Sequence, residues 1–335
     1  MSVLRLIRLI AIGVTTASAL ATSSYAAELE RLAPRNGYPS QPIKFVSPFP
    51  AGGGNDAVTR WVTARLTEVT GQSAVVENRG GAGGNIGTKA VAGAKPDGYT
   101  VLTGMVSLMA VNPVVYSDPG FDPLKDFAPV TQVNAAPLAI VVPSHSRFKD
   151  FHQFMKEAKD NPGRVTYASP GNGTLSHLTG VVLTKLHDIP LTHVPYRGAA
   201  QAVNDLMGNE VDALITSTSS VAGMIQTGQL RALAVTSPRR VGVFTGVPSL
   251  EELGLKGARF DDWYGFFVPA GTPGERIAYL HDAIVRVLRS DEVSKQIVNA
   301  GGEVVASTPE ELDKQLREDI ERWAHVAKLA GAKVE

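Results

Sequence analysis

The chain has 335 residues, 44% of them hydrophobic and 19% charged, with 32 basic residues against 32 acidic ones. That length and apolar share suit one large or two medium domains. The even balance argues against the basic face that nucleic acid requires, and the absence of cysteine excludes disulfides, thiolate metal sites and cysteine-linked lipids.

The N-terminus predicts a secretory signal peptide over residues 1–26. Arg5 and Arg8 form a positive n-region, Leu9 to Leu20 an apolar h-region, and Ser24-Tyr25-Ala26 a cleavage site after Ala26. The apolar run is shorter than the ~20 residues a membrane span needs. Cleavage removes two arginines and no acid, which leaves the mature chain a formal charge of −2. No later segment is long and apolar enough to span, so a soluble mature protein is expected.

Strand and helix patterns then alternate. Ile43 to Ser47 predicts a strand and Asp56 to Thr70 a helix; Ala74 to Glu77 a strand and Asn85 to Ala94 a helix ended by Pro96; Tyr99 to Thr103 a third strand. This βαβαβ order implies a parallel twisted sheet with helices on both faces. Leu138 to Val142 is an apolar extended run, followed by a helix over Lys149 to Asp160 that Asn161-Pro162-Gly163 closes. Short strands are expected at Val165 to Ala168, Leu191 to Val194, Val211 to Ile215 and Leu230 to Val235, with helices at Thr174 to Leu186 and Ala199 to Met207 between them. The end reads as helical over Gly274 to Arg289, Glu292 to Asn299 and Pro309 to Leu329. Thr308-Pro309-Glu310-Glu311 supplies an N-cap, a first-turn proline and early acids. No fixed-period repeat or low-complexity linker separates the halves. If Ala136 to Pro143 and Arg231 to Ser237 cross between them, the first domain is discontinuous: 27–137 plus 236–335, with 138–235 as the second.

Chemistry concentrates at strand–loop–helix junctions. Pro48-Phe49-Pro50-Ala51-Gly52-Gly53-Gly54-Asn55-Asp56 is one, and Glu77-Asn78-Arg79-Gly80-Gly81-Ala82-Gly83-Gly84-Asn85-Ile86-Gly87 is another. Such junctions present unpaired N–H groups and the positive end of a helix dipole, which suits small anions without a lysine. Gly52 to Ala57 also imitates a dinucleotide fingerprint, with Glu77 about twenty residues on. Against that stand the Pro48–Ala51 spacer, the charge of Asp56 near a pyrophosphate, and export. A plain glycine turn with Asp56 as helix cap is the structural alternative. Gly80 to Gly87 lacks the Gly-Lys-Ser/Thr of a phosphate loop. It serves either as a flexible turn or as a place where backbone closely approaches a ligand or a neighbouring loop.

Three junctions follow in the second half. Ser169 to His177 offers Thr174 or Ser176 as a cap, with His177 one turn in. A hydroxyl beside a histidine suggests hydrolase chemistry, but there is no Gly-x-Ser-x-Gly elbow and no acid placed to orient His177. Val194 to Ala200 carries Arg197, either a bidentate carboxylate clamp or an outward side chain. Thr216 to Ser220 is rich in hydroxyls. His145, His152, His187, His193, His281 and His325 lack metal-ligand spacing, so no metal and no cofactor is expected. Asp261 to Phe266 sets aromatics on a strand, mostly for the core, with one available to stack on a ligand.

The order of these segments resembles the Bug family, the TctC-like solute-binding receptors of tripartite tricarboxylate transporters. The likeness extends over nearly the whole mature chain. Its landmarks are Pro48 to Gly53, Val76 to Gly84, Pro96-Asp97-Gly98-Tyr99-Thr100, Val194 to Ala199, Leu230 to Thr236, Trp263-Tyr264-Gly265 and Pro269-Ala270-Gly271-Thr272-Pro273. The resemblance implies a type II-like periplasmic binding fold: two α/β domains with mixed, mostly parallel sheets around a ligand cleft. It implies a monomeric periplasmic receptor, not an enzyme, that closes on a small organic carboxylate and delivers it to membrane permease subunits. A ligand sensor feeding a signalling system, or an exported hydrolase, are the alternatives.

By the same resemblance, contacts map to Phe49, Ala51, Gly52, Gly53 and Ser107, with Asp56 at the helix start, and to Gly173, Thr174, His177, Arg197, Gly198, Ala199 and Thr216. Gly80 and Ala51 stand where the family commonly has proline. Thr216 stands where many members carry aspartate, an acid able to meet a ligand ammonium. Its absence favours di- or tricarboxylates or aromatic acids.

Overall fold

The computed structural model describes residues 29–237, 240, 244–256, 258 and 261–330. The expected signal peptide lies outside them. Among the described residues no helix is long and apolar enough to cross a membrane.

The first sheet begins β1 (Ile43–Ser47), β2 (Ala74–Asn78) and β3 (Thr100–Met105), with β2 and β3 parallel to β1 on either side. Helices α1 (Gly54–Thr70) and α2 (Asn85–Ala92) make the crossovers. Helix α1 starts two residues before Asp56. The extended Gly53 acts as N-cap, so Gly54 and Asn55 join the first turn, and left-handed Gly71 ends the helix by donating its N–H to Thr67 O. After β3 a π-helical turn over Ser107–Val111 runs into the short α3 (Asn112–Val115).

Strand β4 (Phe127–Pro143) joins the two halves of the sheet. Residues 127–137 pair with β9 (Asp261–Pro269), and residues 138–143 pair with β7 (Ala213–Ser217) and β8 (Leu230–Val235). The sequence showed only the end of this strand. Its first half carries Pro129 and irregular pairing after it, which interrupts the alternation that marks a strand. The second half continues with α4 (Phe151–Asp160), β5 (Val165–Ser169), α5 (Leu175–Leu186), β6 (Leu191–Pro195), α6 (Ala199–Met207) and α7 (Thr218–Gln226). Strands β6 and β7 flank β5, both parallel to it. After β9 come α8 (Gly274–Leu288), α9 (Asp291–Asn299), the short β10 (Glu303–Val304) and α10 (Pro309–Ala330).

The order is β2-β1-β3-β9-β4-β7-β5-β6, with β8 and β10 also on β4. Each antiparallel pairing involves β4 or β9; the βα crossovers on both sides are parallel. This is a mixed α/β fold in two parallel-stranded halves. Ligand sites in such sheets form beyond the carboxyl ends of the strands, and here two such sets of ends lie on either side of β4 and β9.

Two buried apolar clusters support the arrangement. One includes Phe45, Val58, Val62, Phe266 and Trp323; the other gathers Leu206, Val221 and Phe244 around α6, α7 and β8. On β9, Trp263 Nε1 donates to Asp319 Oδ2 of α10 at 2.7 Å. Because side chains alternate along a strand, Asp262 and Tyr264 take the opposite face. That face borders a cavity.

Candidate functional site

The cavity holds about 450 Å³ of empty space including its mouth. Four helix N-termini border it: Gly53 and Gly54 of α1, Thr174 and Leu175 of α5, Ala199 of α6 and Ser217 before α7. The N-caps of α1, α6 and α7 (Gly53, Gly198 and Ser217) make no side-chain capping bond. Helix starts left without side-chain acceptors turn N–H donors and partial positive charge toward the space. Among the described residues no lysine, arginine or histidine lines it, and its titratable side chains are Asp262 and Tyr264.

Each junction is held in place locally. Ser47 Oγ donates to Asn55 Oδ1 at 2.7 Å, and Asn55 Nδ2 donates to Thr103 O at 3.0 Å, which locks the first turn of α1 onto β1 and β3. Thr174 caps α5: its Oγ1 accepts from His177 N at 3.3 Å and donates to Gly171 O at 2.7 Å. Hydrogen bonds join the two halves around the cavity. Gly54 N donates to Ser220 Oγ at 2.8 Å, Leu175 N to Ser107 Oγ at 3.3 Å, and Tyr116 Oη to Asn172 O at 2.9 Å. Gly83 shows why the glycine run lies there. Its φ is +62°, and a Cβ would come within 2.8 Å of Asn172 O. Of the two readings of Gly80 to Gly87, close approach to the facing loop is the one observed.

The structure brings together Phe49, Gly53, Ser107, Thr174, Ala199 and Thr216 on the cavity wall. Ala51 and Gly52 are exposed beside it. Gly173 and Gly198 sit just behind it: Gly173 N donates to His177 Nδ1 at 3.2 Å, and Gly198, at φ +134°, packs on Pro50. Arg197 is exposed and lines a second, adjoining cleft with Gly81 to Gly84, Tyr116 and Asn172. The two spaces share Phe49, Pro50 and Pro170.

Asp56 lies outside both linings. Burial alone would push its carboxyl up, but the Arg60 guanidinium, the Gly52 N–H and the Asn78 amide hold it below the usual range. Its bonds are to the loop at Gly52, to Arg60 on its own helix and to Asn78 at the end of β2, while Gly53 holds the N-cap position. His177 stacks on His193 with ring centroids 4.2 Å apart. Burial pushes His177 down, and burial followed by the neighbouring His177 pushes His193 down to about 3. Neither ring has a carboxylate partner among its described contacts, so no nucleophile–base–orienter set forms around His177.

Sequence reading gave Asp262 no role and took Tyr264 only as one of several strand aromatics, while Ser217 and Ser220 lie in the hydroxyl-rich junction it marked. Asp262 is 1% exposed, and its Oδ1 has no hydrogen-bond partner; Thr216 Oγ1 is likewise buried and unpartnered. Burial holds the Asp262 carboxyl well above its ordinary range, against weaker pulls downward from the Trp263 N–H and the Tyr264 hydroxyl. Burial first, then the Asp262 charge, also raises Tyr264. β9 thus supplies a carboxyl to a wall on which β7 places the hydroxyl of Thr216. The available signal was the alternation of Asp262, Trp263 and Tyr264, which sets both polar groups on one face.

Comparison with known proteins agrees with this geometry. Residues 58–331 match the family described as tripartite tricarboxylate transporter family receptor. A protein of Pseudomonas sp. strain P51, described as a UPF0065 protein in the tcbD-tcbE intergenic region, is 37% identical over 306 residues, covering 91% of this chain and 90% of its own. Protein BugT of Bordetella pertussis is 34% identical over 298 residues, covering 89% and 91%. Among solved structures, R. palustris Rpa4515 with adipate superposes with a TM-score of 0.85 at 30% identity, covering 89% of this chain and 100% of its own. MatC from Rhodopseudomonas palustris with bound malate gives 0.82 at 28% identity, covering 86% and 99%.

Proposed function

The chain belongs to the tripartite tricarboxylate transporter receptor family, and on that premise we propose that it closes on a small organic carboxylate, a di- or tricarboxylate or an aromatic acid, and delivers it to membrane permease subunits. It works as a periplasmic monomer once residues 1–26 have been removed. No chemistry is required of it.

The observation that carries this reading is the cavity wall itself. Four helix N-termini, three without side-chain caps, surround a space with no cationic side chain among the described residues. A carboxylate there is held by backbone donors, helix dipoles and hydroxyls such as Thr216 Oγ1. Charge-assisted hydrogen bonds contribute about 1.5–3 kcal/mol each. Desolvation and immobilisation offset part of that, so micromolar or tighter affinity follows. Adipate and malate in the two R. palustris neighbours are acids of the same kind. The bonds from Gly54 to Ser220 and from Leu175 to Ser107 bridge the halves at the cavity rim. A ligand touching both sides favours that closed arrangement.

A thermal-shift screen tests it, because a ligand that binds the native state raises the melting temperature by mass action. The panel is malate, adipate, citrate, terephthalate, nicotinate and acidic amino acids, with NAD as control. A shift with at least one of the acids and none with NAD is expected. A shift with NAD alone overturns the reading in favour of the dinucleotide fingerprint.

A further inference from the structure

We propose that Asp262 reads the ligand directly, its unpartnered Oδ1 hydrogen-bonded to a carboxylate oxygen of the bound acid. The inference rests on the receptor reading above and adds to it the group that selects the ligand.

Asp262 is a buried carboxyl on the wall of the cavity, and one of its oxygens has no partner. Native proteins rarely leave a buried polar atom unsatisfied, and such an atom on a cavity wall marks where a ligand belongs. The other contacts of the group come from its own strand, the Trp263 N–H and the Tyr264 hydroxyl. Across the sheet, β4 offers Ala136. From α1 the cavity receives Gly54 and Asn55; from β7 and α7 it receives Thr216, Ser217 and Ser220. Tyr264 is the one other titratable side chain on the wall, and burial keeps its hydroxyl protonated. Among the described residues, no lining cation is available to neutralise an ionised Asp262.

Two carboxylates in hydrogen-bond contact must share a proton, since both cannot ionise in a buried space. Burial has already left that proton on Asp262. The ligand arrives as the anion the helix N-termini favour, and the Asp262 O–H donates to it. The proton stays between the two oxygens, so binding at neutral pH releases none. An anion beside Asp262 raises its proton affinity further. While the ligand stays ionised, affinity is therefore flat below the pKa of free Asp262 and falls tenfold per pH unit above it, until the pKa of the complex is reached. The chemistry also rejects a ligand that puts only a donor at this point, such as an ammonium, because Asp262 would first have to ionise.

The test is calorimetric titration of the mature protein with malate, adipate, citrate, terephthalate and nicotinate. Wild type is measured at pH 7 in two buffers of different ionisation enthalpy, which counts protons exchanged. Asp262→Ala and Asp262→Asn are titrated with whichever acid binds. Binding without proton release is expected. Asp262→Ala loses at least about tenfold in affinity, and Asp262→Asn, a neutral isostere whose amide still donates, loses no more than about threefold. Release of about one proton on binding, which needs no variant to fold, overturns the inference. So does Asp262→Asn as damaging as Asp262→Ala, the pattern of an ionised acid facing a donor, or Asp262→Ala with wild-type affinity. These outcomes sink the role of Asp262 and leave the receptor reading standing. Wild type binding none of the acids removes both.

Discussion

Alanine at Gly54 separates closure from folding. Gly54 is the first residue of α1, and its N–H donates to Ser220 Oγ at 2.8 Å. A Cβ added there would lie 2.3 Å from Ser219 Oγ, 2.6 Å from Tyr264 Oη and 3.1 Å from Ser220 Oγ. None of the three moves aside freely. Ser219 Oγ is bonded to Ser217 Oγ at 2.9 Å, Tyr264 is buried, and Ser220 holds the closing bond. Overpacking of this kind costs about 1–3 kcal/mol. The contacts with Ser219 and Ser220, which come from the other half, burden the closed arrangement alone, whereas that with Tyr264 lies within the same half as Gly54 and persists in an open cleft. Inside a helix, alanine is itself favoured over glycine by up to about 1 kcal/mol. That gain offsets part of the Tyr264 contact, so Gly54→Ala should melt within a few degrees of wild type without ligand. It should bind the cognate acid about 5- to 150-fold more weakly, at 1.4 kcal/mol per tenfold. Paired melting curves and calorimetric titrations read both quantities. Wild-type affinity in a normally folded Gly54→Ala would refute the claim that these halves meet when ligand binds; a large loss of melting temperature without ligand would refute the claim that the contacts with Ser219 and Ser220 dominate the clash.

Three further outcomes follow from the same contacts. Thr174→Ala removes the α5 cap and the bond to Gly171 O; it should cost about 1 kcal/mol of stability, read in urea denaturation, as well as affinity. Asp56→Ala should destabilise the protein at neutral pH. The folded Asp56 holds its proton less tightly than the usual 3.8, so its contribution is present above 3.8 and lost as pH falls through the folded value; wild type and variant should converge in strongly acidic melts. His193, pushed down to about 3 from 6.5, binds its proton in the unfolded chain first. Its contribution is complete above pH 6.5 and declines as the pH falls toward 3, so His193→Gln should flatten the stability–pH curve across that window, measured by denaturant melts.

How much was legible in the sequence follows from local signals. The βα junctions at Gly53, Thr174 and Ala199 announce themselves through glycines, a cap residue and a helical apolar pattern. Their positions held to within two residues, as at Leu175–Leu186 and Ala199–Met207. Strand β4 did not show in full because Pro129 and the irregular pairing after it break its alternation. What joins the halves depends on pairings far apart in sequence, such as Ala136 with Asp262 and Ala139 with Thr216. Nothing local to Asp262 reveals that it borders the same space as Thr216. Asp56 shows the reverse: it stands in the glycine motif, yet its bonds to Gly52, Arg60 and Asn78 turn it away from the cavity. Arg197 likewise follows a motif into the adjoining cleft rather than onto the wall of the cavity.

The most direct measurement is a crystal structure of the mature protein grown with the acid that raises its melting temperature most. The account predicts electron density for that acid between Phe49 and Tyr264, its carboxylate within hydrogen-bond distance of backbone N–H groups at the starts of the bordering helices. Density in the adjoining cleft beside Arg197 and Gly81 to Gly84, with the Phe49–Tyr264 cavity empty, would contradict it.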